Sequence, residues 1–202
     1  LEIGSGLGNL SRFFLTKGQP IYLTDLRKGY CDQLQAQFGD LPNCLGIGQV
    51  DLVLPDFETR YADLLGKFDS VFALNVVEHI EDDHRALANA RLLLREGGHL
   101  VILVPAYQWL YTKMDEGLGH YRRYTVPRLS KTMTDAGLKV IHEQYFNTMG
   151  ILAWWISGKL QRNDQIPSGQ MKLYNTFVPV FRVIDKLVGR RFGLSAVAVG
   201  QR

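Results

Sequence analysis

The first fifteen residues carry the feature that most restricts the fold, a glycine-rich turn between an apolar segment and a helical one. Residues 1–3 are typical of the end of a buried strand. Glycines at positions 4, 6 and 8 then allow a tight turn in which no Cβ atom interferes. Apolar side chains recur at helical spacing after the turn and predict a helix from about Asn9. Such a turn presents backbone N–H groups and the positive end of a helix dipole to a polar or anionic ligand. The segment therefore predicts a nucleotide-cofactor loop.

The glycine spacing separates two families of cofactor-binding proteins that use such a loop. The dinucleotide fingerprint G-x-G-x-x-G would place its third glycine at position 9, where this chain has Asn9. The chain instead carries E-x-G-x-G-x-G from Glu2 to Gly8, which resembles the first motif of class I S-adenosylmethionine-dependent methyltransferases. The resemblance implies S-adenosylmethionine as cofactor and S-adenosylhomocysteine as product. A glycine-rich turn without a ligand is the alternative.

Apolar segments alternate with helical ones along the rest of the chain, and the connections between them are short. This order predicts an α/β fold with a doubly wound, mostly parallel sheet. Together with the resemblance, it predicts a seven-stranded Rossmann-like methyltransferase fold whose last strand is antiparallel. Helices are expected at 28–38, from the turn at 76–79 to the Gly97-Gly98 pair, and from Thr125 to Gly137. The strands are expected at 1–3 and 21–25, within 44–54 with an end near 50–52, along the apolar run 71–74, and at 100–104, 138–145 and 194–199.

Polar residues follow the first four predicted strands, so that they should meet along one rim of the sheet. Asp25 lies one βαβ unit after the glycine loop, where a carboxylate accepts both ribose hydroxyls; a helix cap is the alternative. The resemblance implies that Asp51 and Leu52 contact the adenine, and that the loop after Asn75 closes over the methionine part of the cofactor. The cofactor-binding residues predicted on these grounds are Glu2, Gly4, Ser5, Gly6, Gly8, Asp25, Leu26, Asp51, Leu52 and Asn75.

Two further motifs point to the substrate side. The run F-D-x-V-x-x-x-x-V-x-E-H-I at 68–80 looks like the fourth strand and following loop of small-molecule methyltransferases. The run D-x-x-L-G-H-x-R-R-Y-T at 115–125 resembles a bacterial branch of the superfamily, sometimes found beside polysaccharide and lipid-linked sugar genes. The resemblance covers most of the chain and weakens after about residue 146. The predicted substrate-side residues are Glu78, Tyr107, Asp115, Tyr121, Arg122 and Arg123.

Methyl transfer from a sulfonium needs a base only when the acceptor is a poorly ionised group such as a hydroxyl. His79 and His120 are the candidate bases; alternatively His79 caps a helix and His120 bridges its Tyr and Arg neighbours. Arg122 and Arg123 either clamp an anionic group of the substrate or pair with upstream acids. The chain shows no catalytic triad and no zinc-ligand spacing, so the sequence predicts no metal.

Length and charge favour a single methyltransferase domain over 1–202, with cap segments at 106–126 and 146–192 on the substrate side. The first residue already lies inside a predicted strand, so we expect upstream residues to be missing. Residues 1–111 carry 9 basic against 14 acidic side chains, and residues 112–202 carry 14 against 6. The basic half indicates an anionic substrate, an anionic membrane face or merely a solvated surface.

The cysteine usage and the lack of a signal peptide favour the cytoplasm, and apolar stretches at 149–160 and 177–191 suggest contact with a membrane surface. Packing of those stretches on the sheet is the alternative. The predicted function is methyl transfer to a small-molecule acceptor, including lipid- or sugar-linked ones. The alternatives are a nicotinamide-dependent oxidoreductase and a non-catalytic membrane- or partner-binding module. Nucleic acid is not an expected partner, and the oligomeric state is left open.

Overall fold

The computed structural model describes residues 1–155 and 190–202, together with residues 178, 180, 181, 183, 185 and 187. Its centre is a seven-stranded sheet with the order β3-β2-β1-β4-β5-β7-β6. Strands β1 to β5 pair in parallel, whereas β7 runs antiparallel to both β5 and β6. The predicted fold class, including the antiparallel last strand, is confirmed. The strands are β1 (Glu2–Ile3), β2 (Ile21–Asp25), β3 (Cys44–Gln49), β4 (Phe68–Leu74), β5 (Leu94–Pro105), β6 (Lys139–Phe146) and β7 (Ser195–Gln201).

Helices connect these strands, and several of them begin close to where the sequence signals predict, whereas the short helices at 57–60 and 113–118 were not predicted. Helix α1 starts directly after the glycine turn, and α6 is capped by Thr125, whose hydroxyl accepts from the backbone N–H of Arg128. The helices are α1 (Asn9–Thr16), α2 (Lys28–Phe38), α3 (Phe57–Arg60), α4 (Asp83–Leu93), α5 (Lys113–Leu118), α6 (Val126–Asp135) and α7 (Thr148–Trp155).

Two buried clusters hold these helices on the sheet. The larger joins the central strands β4, β5 and β7 to α4 and α6 through fully buried aliphatic side chains. The smaller joins β2 to α1 and α2 through Leu15, Ile21, Leu23, Leu34 and Phe38. The apolar runs of β4 and β5 are explained by this arrangement, because a central parallel strand is covered on both faces. Because β1 to β4 run parallel to one another, their carboxyl ends lie at one rim of the sheet.

One predicted boundary is wrong. Gly97 and Gly98 do not end the helix after β4, because α4 stops at Leu93 and β5 begins at Leu94. The early start of β5 comes from pairing of Leu94 with Phe68 on β4, after which the register shifts before His99 pairs with Ser70. The glycine pair therefore lies in an irregular part of the strand, where Gly97 adopts a positive φ of 74°.

The chain after β6 is described in part. Among the described residues, no helix is both long and apolar enough to cross a bilayer. Helix α7 covers the first half of the predicted membrane-contact stretch 149–160. Its Trp154 packs inward, with the indole N–H donating to the carbonyl of Leu110, while Trp155 remains exposed. Seven of the fifteen residues of the predicted stretch 177–191 and the remainder of 149–160 lie outside the described residues, as does most of the cap segment 146–192.

The last glycine of the turn is expected to be the least replaceable. Gly8 has a φ of 76°, and a Cβ atom built on it would lie 2.4 Å from the ring of Phe38. Gly18 has nearly the same φ, 72°, but no heavy atom within 4 Å of its Cβ position. We expect Gly18→Ala to cost about 1–2 kcal/mol of unfolding free energy for the left-handed backbone alone. Gly8→Ala should lose about 1–3 kcal/mol more, because Phe38 must move. Urea unfolding measures both, and equal losses would contradict the packing argument.

Candidate functional site

A cavity of about 760 Å³ opens at the rim where β1 to β4 end. Seven of the ten predicted cofactor-binding residues line it, and they come from four separate connections of the sheet. They are Gly4, Gly6, Asp25, Leu26, Asp51, Leu52 and Asn75. A second cavity, of about 630 Å³ beside Leu1 and Phe14, contains none of the predicted site residues.

Hydrogen bonds donated by the backbone N–H groups of the glycine turn hold it against the end of β2. The N–H of Ser5 donates to the carbonyl of Thr24 at 2.8 Å, and the N–H of Gly6 donates to Asp25 Oδ2 at 2.9 Å. The other oxygen of Asp25 accepts from the N–H of Arg27 at 2.9 Å. Helix α2 has no side-chain cap, so Asp25 does not act as a helix cap. Its carboxylate lies on the cavity wall in a fixed orientation.

Three predicted cofactor residues, Glu2, Ser5 and Gly8, do not line the cavity. The Glu2 carboxylate is buried beneath the turn and accepts a hydrogen bond from the hydroxyl of Ser11. Burial raises the pKa of Glu2, and the Ser11 hydroxyl opposes that rise. Gly8 packs against Phe38 of α2. These residues support the turn from behind rather than forming the cavity surface.

The loops after β3 and β4 add two polar residues to the cavity, Asp51 and Asn75. Asp51 Oδ1 accepts from the N–H of Val53 at 2.9 Å, and the Asp51 N–H donates to the hydroxyl of Tyr61 at the same distance. Asn75 has a left-handed φ of 55°, and its N–H donates to the carbonyl of Leu103. Left-handed non-glycine residues are uncommon and concentrate at functional sites.

The two candidate histidines lie next to each other. His79 lines the cavity, and its ring meets that of His120 edge-on, with centroids 4.6 Å apart. Burial and the His120 ring lower the pKa of His79, so that it is neutral and able to accept a proton at pH 7. His79 does not cap α4, because the side chain of Asp82 accepts from Arg85 there.

The predicted substrate-side arginines are engaged in ion pairs inside the protein. Arg123 donates through Nε and a terminal nitrogen to both oxygens of Asp115, at 2.8 and 3.1 Å, and both side chains are buried. Arg122 lies 3.0 Å from Asp83. Of the two interpretations of these arginines, Arg123 follows the second, since it pairs with its upstream acid Asp115 inside the protein. The predicted substrate-side residue Asp115 is therefore part of the interior.

The remaining substrate-side residues lie in three different environments. Tyr121 lines the cavity and is exposed, whereas Tyr107 stacks on Tyr145 with ring centroids 5.0 Å apart. Glu78 is fully buried, and neither of its carboxylate oxygens has a hydrogen-bond partner within the described residues. Burial raises the pKa of Glu78 to about 8, and the Arg123 charge opposes that rise.

Sequence reasoning missed several residues of the wall. Arg27 follows the predicted Leu26, and the acidic residues Glu81 and Asp82 follow the loop after β4. Arg85 enters from the first turn of α4, and Leu118 comes from the predicted cap segment 106–126. Asp83 was also missed; it is buried and accepts a 2.7 Å hydrogen bond from the hydroxyl of Tyr124. Arg27, Glu81 and Asp82 could have been found from the sequence, because each lies next to a predicted motif.

Comparison with known proteins relates the first half of the chain to methyltransferase domains. The family model for a methyltransferase domain matches residues 1–100. The polyketide synthase component of lovastatin nonaketide synthase from Aspergillus terreus is 31% identical over 111 residues, which cover 51% of this chain and 4% of that protein. The chain thus spans a small part of the length of the curated relatives it matches.

Solved structures of low sequence identity share the fold. The S-adenosylmethionine-dependent methyltransferase from Mesorhizobium loti superposes with a TM-score of 0.63 at 15% identity, covering 100% of this chain and 89% of that one. Phosphoethanolamine N-methyltransferase 2 of Haemonchus contortus, solved with S-adenosyl-L-methionine, gives a TM-score of 0.62 at 14% identity, covering 100% of this chain and 47% of that one.

Proposed function

We propose that this chain, whose residues 1–100 match the family model for a methyltransferase domain, binds S-adenosylmethionine in the 760 Å³ cavity and methylates a small-molecule acceptor. The observation that carries the proposal is the meeting of seven predicted cofactor residues, from four separate connections of the sheet, around one cavity. In this assignment Asp25 accepts the ribose hydroxyls, and Asp51 and Leu52 face the adenine. Lipid- and sugar-linked acceptors are the class that the motif at 115–125 suggests.

The charge of the cavity agrees with a cationic cofactor. Four carboxylates line it, and two guanidinium groups, those of Arg27 and Arg85, lie among them. A sulfonium ion is favoured where the surrounding potential is negative. The carboxylates are those of Asp25, Asp51, Glu81 and Asp82.

The acceptor should approach beside His79, Leu118 and Tyr121, because these lining residues are not among the predicted cofactor-binding residues. Transfer requires the acceptor atom, the methyl carbon and the sulfur to be collinear, so positioning is the main task of the protein. His79 is the candidate base there, since its ring is neutral at pH 7 and faces the cavity. His120 lies behind it and holds its ring nitrogen Nδ1 2.8 Å from Asp115.

Calorimetric titration of the purified protein distinguishes the proposed function from its alternatives. We expect S-adenosylhomocysteine to bind at one site per chain and NADH to give no heat of binding. NADH binding without S-adenosylhomocysteine binding would favour an oxidoreductase. Binding of neither ligand would favour a non-catalytic module, and in both cases the cofactor assignment would be wrong.

A further inference from the structure

Glu78 carries a buried carboxyl group whose environment calls for a partner. It follows β4 in the short 3-10 turn Val77–His79, has no exposed surface, and leaves both carboxylate oxygens without a partner among the described residues. Buried carboxylates are normally hydrogen-bonded, paired or bound to a metal ion. The buried guanidinium of Arg123 already binds both oxygens of Asp115. Arg123 is therefore engaged elsewhere and donates no hydrogen bond to Glu78.

Two imidazoles face this carboxylate. One ligand atom each from Glu78, His79 and His120 lies within 4.8 Å of the other two. Ligand atoms bonded to one ion at about 2.1 Å can be at most about 4.2 Å apart, so movements of less than about 1 Å bring all three onto a common ion. Two histidines and one carboxylate form a recurring donor set for divalent metals, which leaves further coordination positions open.

His120 is held in the orientation that a metal ligand requires. Its Nδ1 lies 2.8 Å from Asp115 Oδ1, which leaves Nε2 as the nitrogen available to a ligand. A carboxylate behind a metal-bound histidine fixes its tautomer and ring orientation in many metal sites. Asp115 is itself fixed by Arg123 and by the backbone N–H of Thr112. The support behind His120 is thus buried and rigid.

We propose that Glu78, His79 and His120 bind a divalent transition-metal ion beside the cofactor cavity. Imidazole nitrogens favour Mn²⁺, Fe²⁺, Co²⁺ or Zn²⁺ over Mg²⁺ and Ca²⁺, which prefer oxygen ligands. His79 also lines the cavity, so the open positions of the ion face the side assigned to the acceptor. The ion would bind an acceptor oxygen there and lower the pKa of its proton. The two histidines would then act as ligands instead of as bases.

The sequence predicted no metal because it shows no zinc-ligand spacing. Glu78 and His79 are adjacent, whereas His120 follows 41 residues later and reaches them through α5 and the turn after it. The N–H of Tyr121 donates to the carbonyl of Glu78 at 2.8 Å and holds that turn against the loop after β4. The cluster exists only once these two segments have packed together.

Metal titration of the protein, without a polyhistidine tag and after treatment with a chelator, tests this proposal without cofactor or acceptor. We expect Mn²⁺ and Co²⁺ to bind at one site per chain by calorimetry, and Co²⁺ to develop a visible absorption band. Glu78→Gln and His79→Ala should each weaken Mn²⁺ binding by at least about 100-fold, since even loss of an outer-shell partner costs about 10–100-fold. Glu58→Gln and His142→Ala, at exposed positions, are the matched controls and should bind normally.

Several results would overturn the metal site. They are an absence of Mn²⁺ and Co²⁺ binding by the wild-type protein, equal affinity of the Glu78→Gln variant, and Mg²⁺ binding as tight as that of Mn²⁺. Glu78→Gln keeps the shape of the side chain and removes its charge, so circular dichroism should show a folded variant. S-adenosylhomocysteine binding is measured separately on each protein, which distinguishes failure of the metal site from failure of the proposed function.

Discussion

Replacing Arg123 with methionine is expected to lower the free energy of unfolding by about 3–5 kcal/mol, because Asp115 would keep a buried charge without its partner. The Arg123 guanidinium is 2% exposed, binds both oxygens of Asp115, donates to the carbonyl of Ala106 and lies 4.5 Å from the ring of Trp154. The methionine side chain fills part of this space but supplies no hydrogen bonds. Guanidinium chloride unfolding followed by circular dichroism at pH 7 measures the loss.

Two further variants separate charge from packing in this experiment. Asp115→Asn combined with Arg123→Met removes both charges and should recover part of the lost stability, since replacing a whole buried pair is often nearly neutral. Lys131→Met breaks the exposed pair with Asp135 and should change stability by less than about 1 kcal/mol. A loss below about 1 kcal/mol for Arg123→Met, or a double variant less stable than the single one, would contradict the interpretation.

Local signals were sufficient for most of the secondary structure. The boundaries of β2 and α2 agree with the residues predicted, Ile21–Asp25 and Lys28–Phe38. In both segments the spacing of the apolar residues changes at the polar residues that bound the element. The boundary therefore follows from the local sequence and not from a contact with a distant segment. The end of α4 was mispredicted because it depends on the pairing of Leu94 with Phe68, a contact between strands that no local pattern reveals.

The residues of the candidate site likewise fall into a group that local signals predict and a group that depends on contacts between distant segments. Residues that follow directly from strand ends, such as Asp25, Asp51 and Asn75, could be placed on one rim because parallel strands end together. The arginines at 122 and 123 could not be assigned, since both a substrate and an internal acid satisfy a guanidinium. Their partners became identifiable only with α5 and α4 in place. The burial of Glu78 likewise depends on packing between segments that are distant in sequence.

The second large effect is expected at Asp25, where replacement by asparagine should weaken S-adenosylhomocysteine binding by about 100-fold. In the proposed complex the carboxylate accepts both ribose hydroxyls, and hydrogen bonds to charged groups contribute about 1.5–3 kcal/mol each. Asparagine retains one acceptor oxygen, and the loss of about 3 kcal/mol corresponds to the stated factor. Calorimetric titration with S-adenosylhomocysteine measures the change in Kd.

The control for Asp25→Asn must separate ligand contact from support of the glycine turn. Asp25 also accepts from the backbone N–H groups of Gly6 and Arg27, so its replacement could loosen the turn without removing a ligand contact. Asp32→Asn removes an exposed carboxylate of α2 that pairs with Lys28, and should leave both Kd and thermal stability unchanged. If Asp25→Asn binds S-adenosylhomocysteine as tightly as the wild type, the ribose assignment is wrong. If binding weakens while the melting temperature stays within a few degrees of the wild type, the carboxylate acts on the ligand itself, because a loosened turn would unfold earlier.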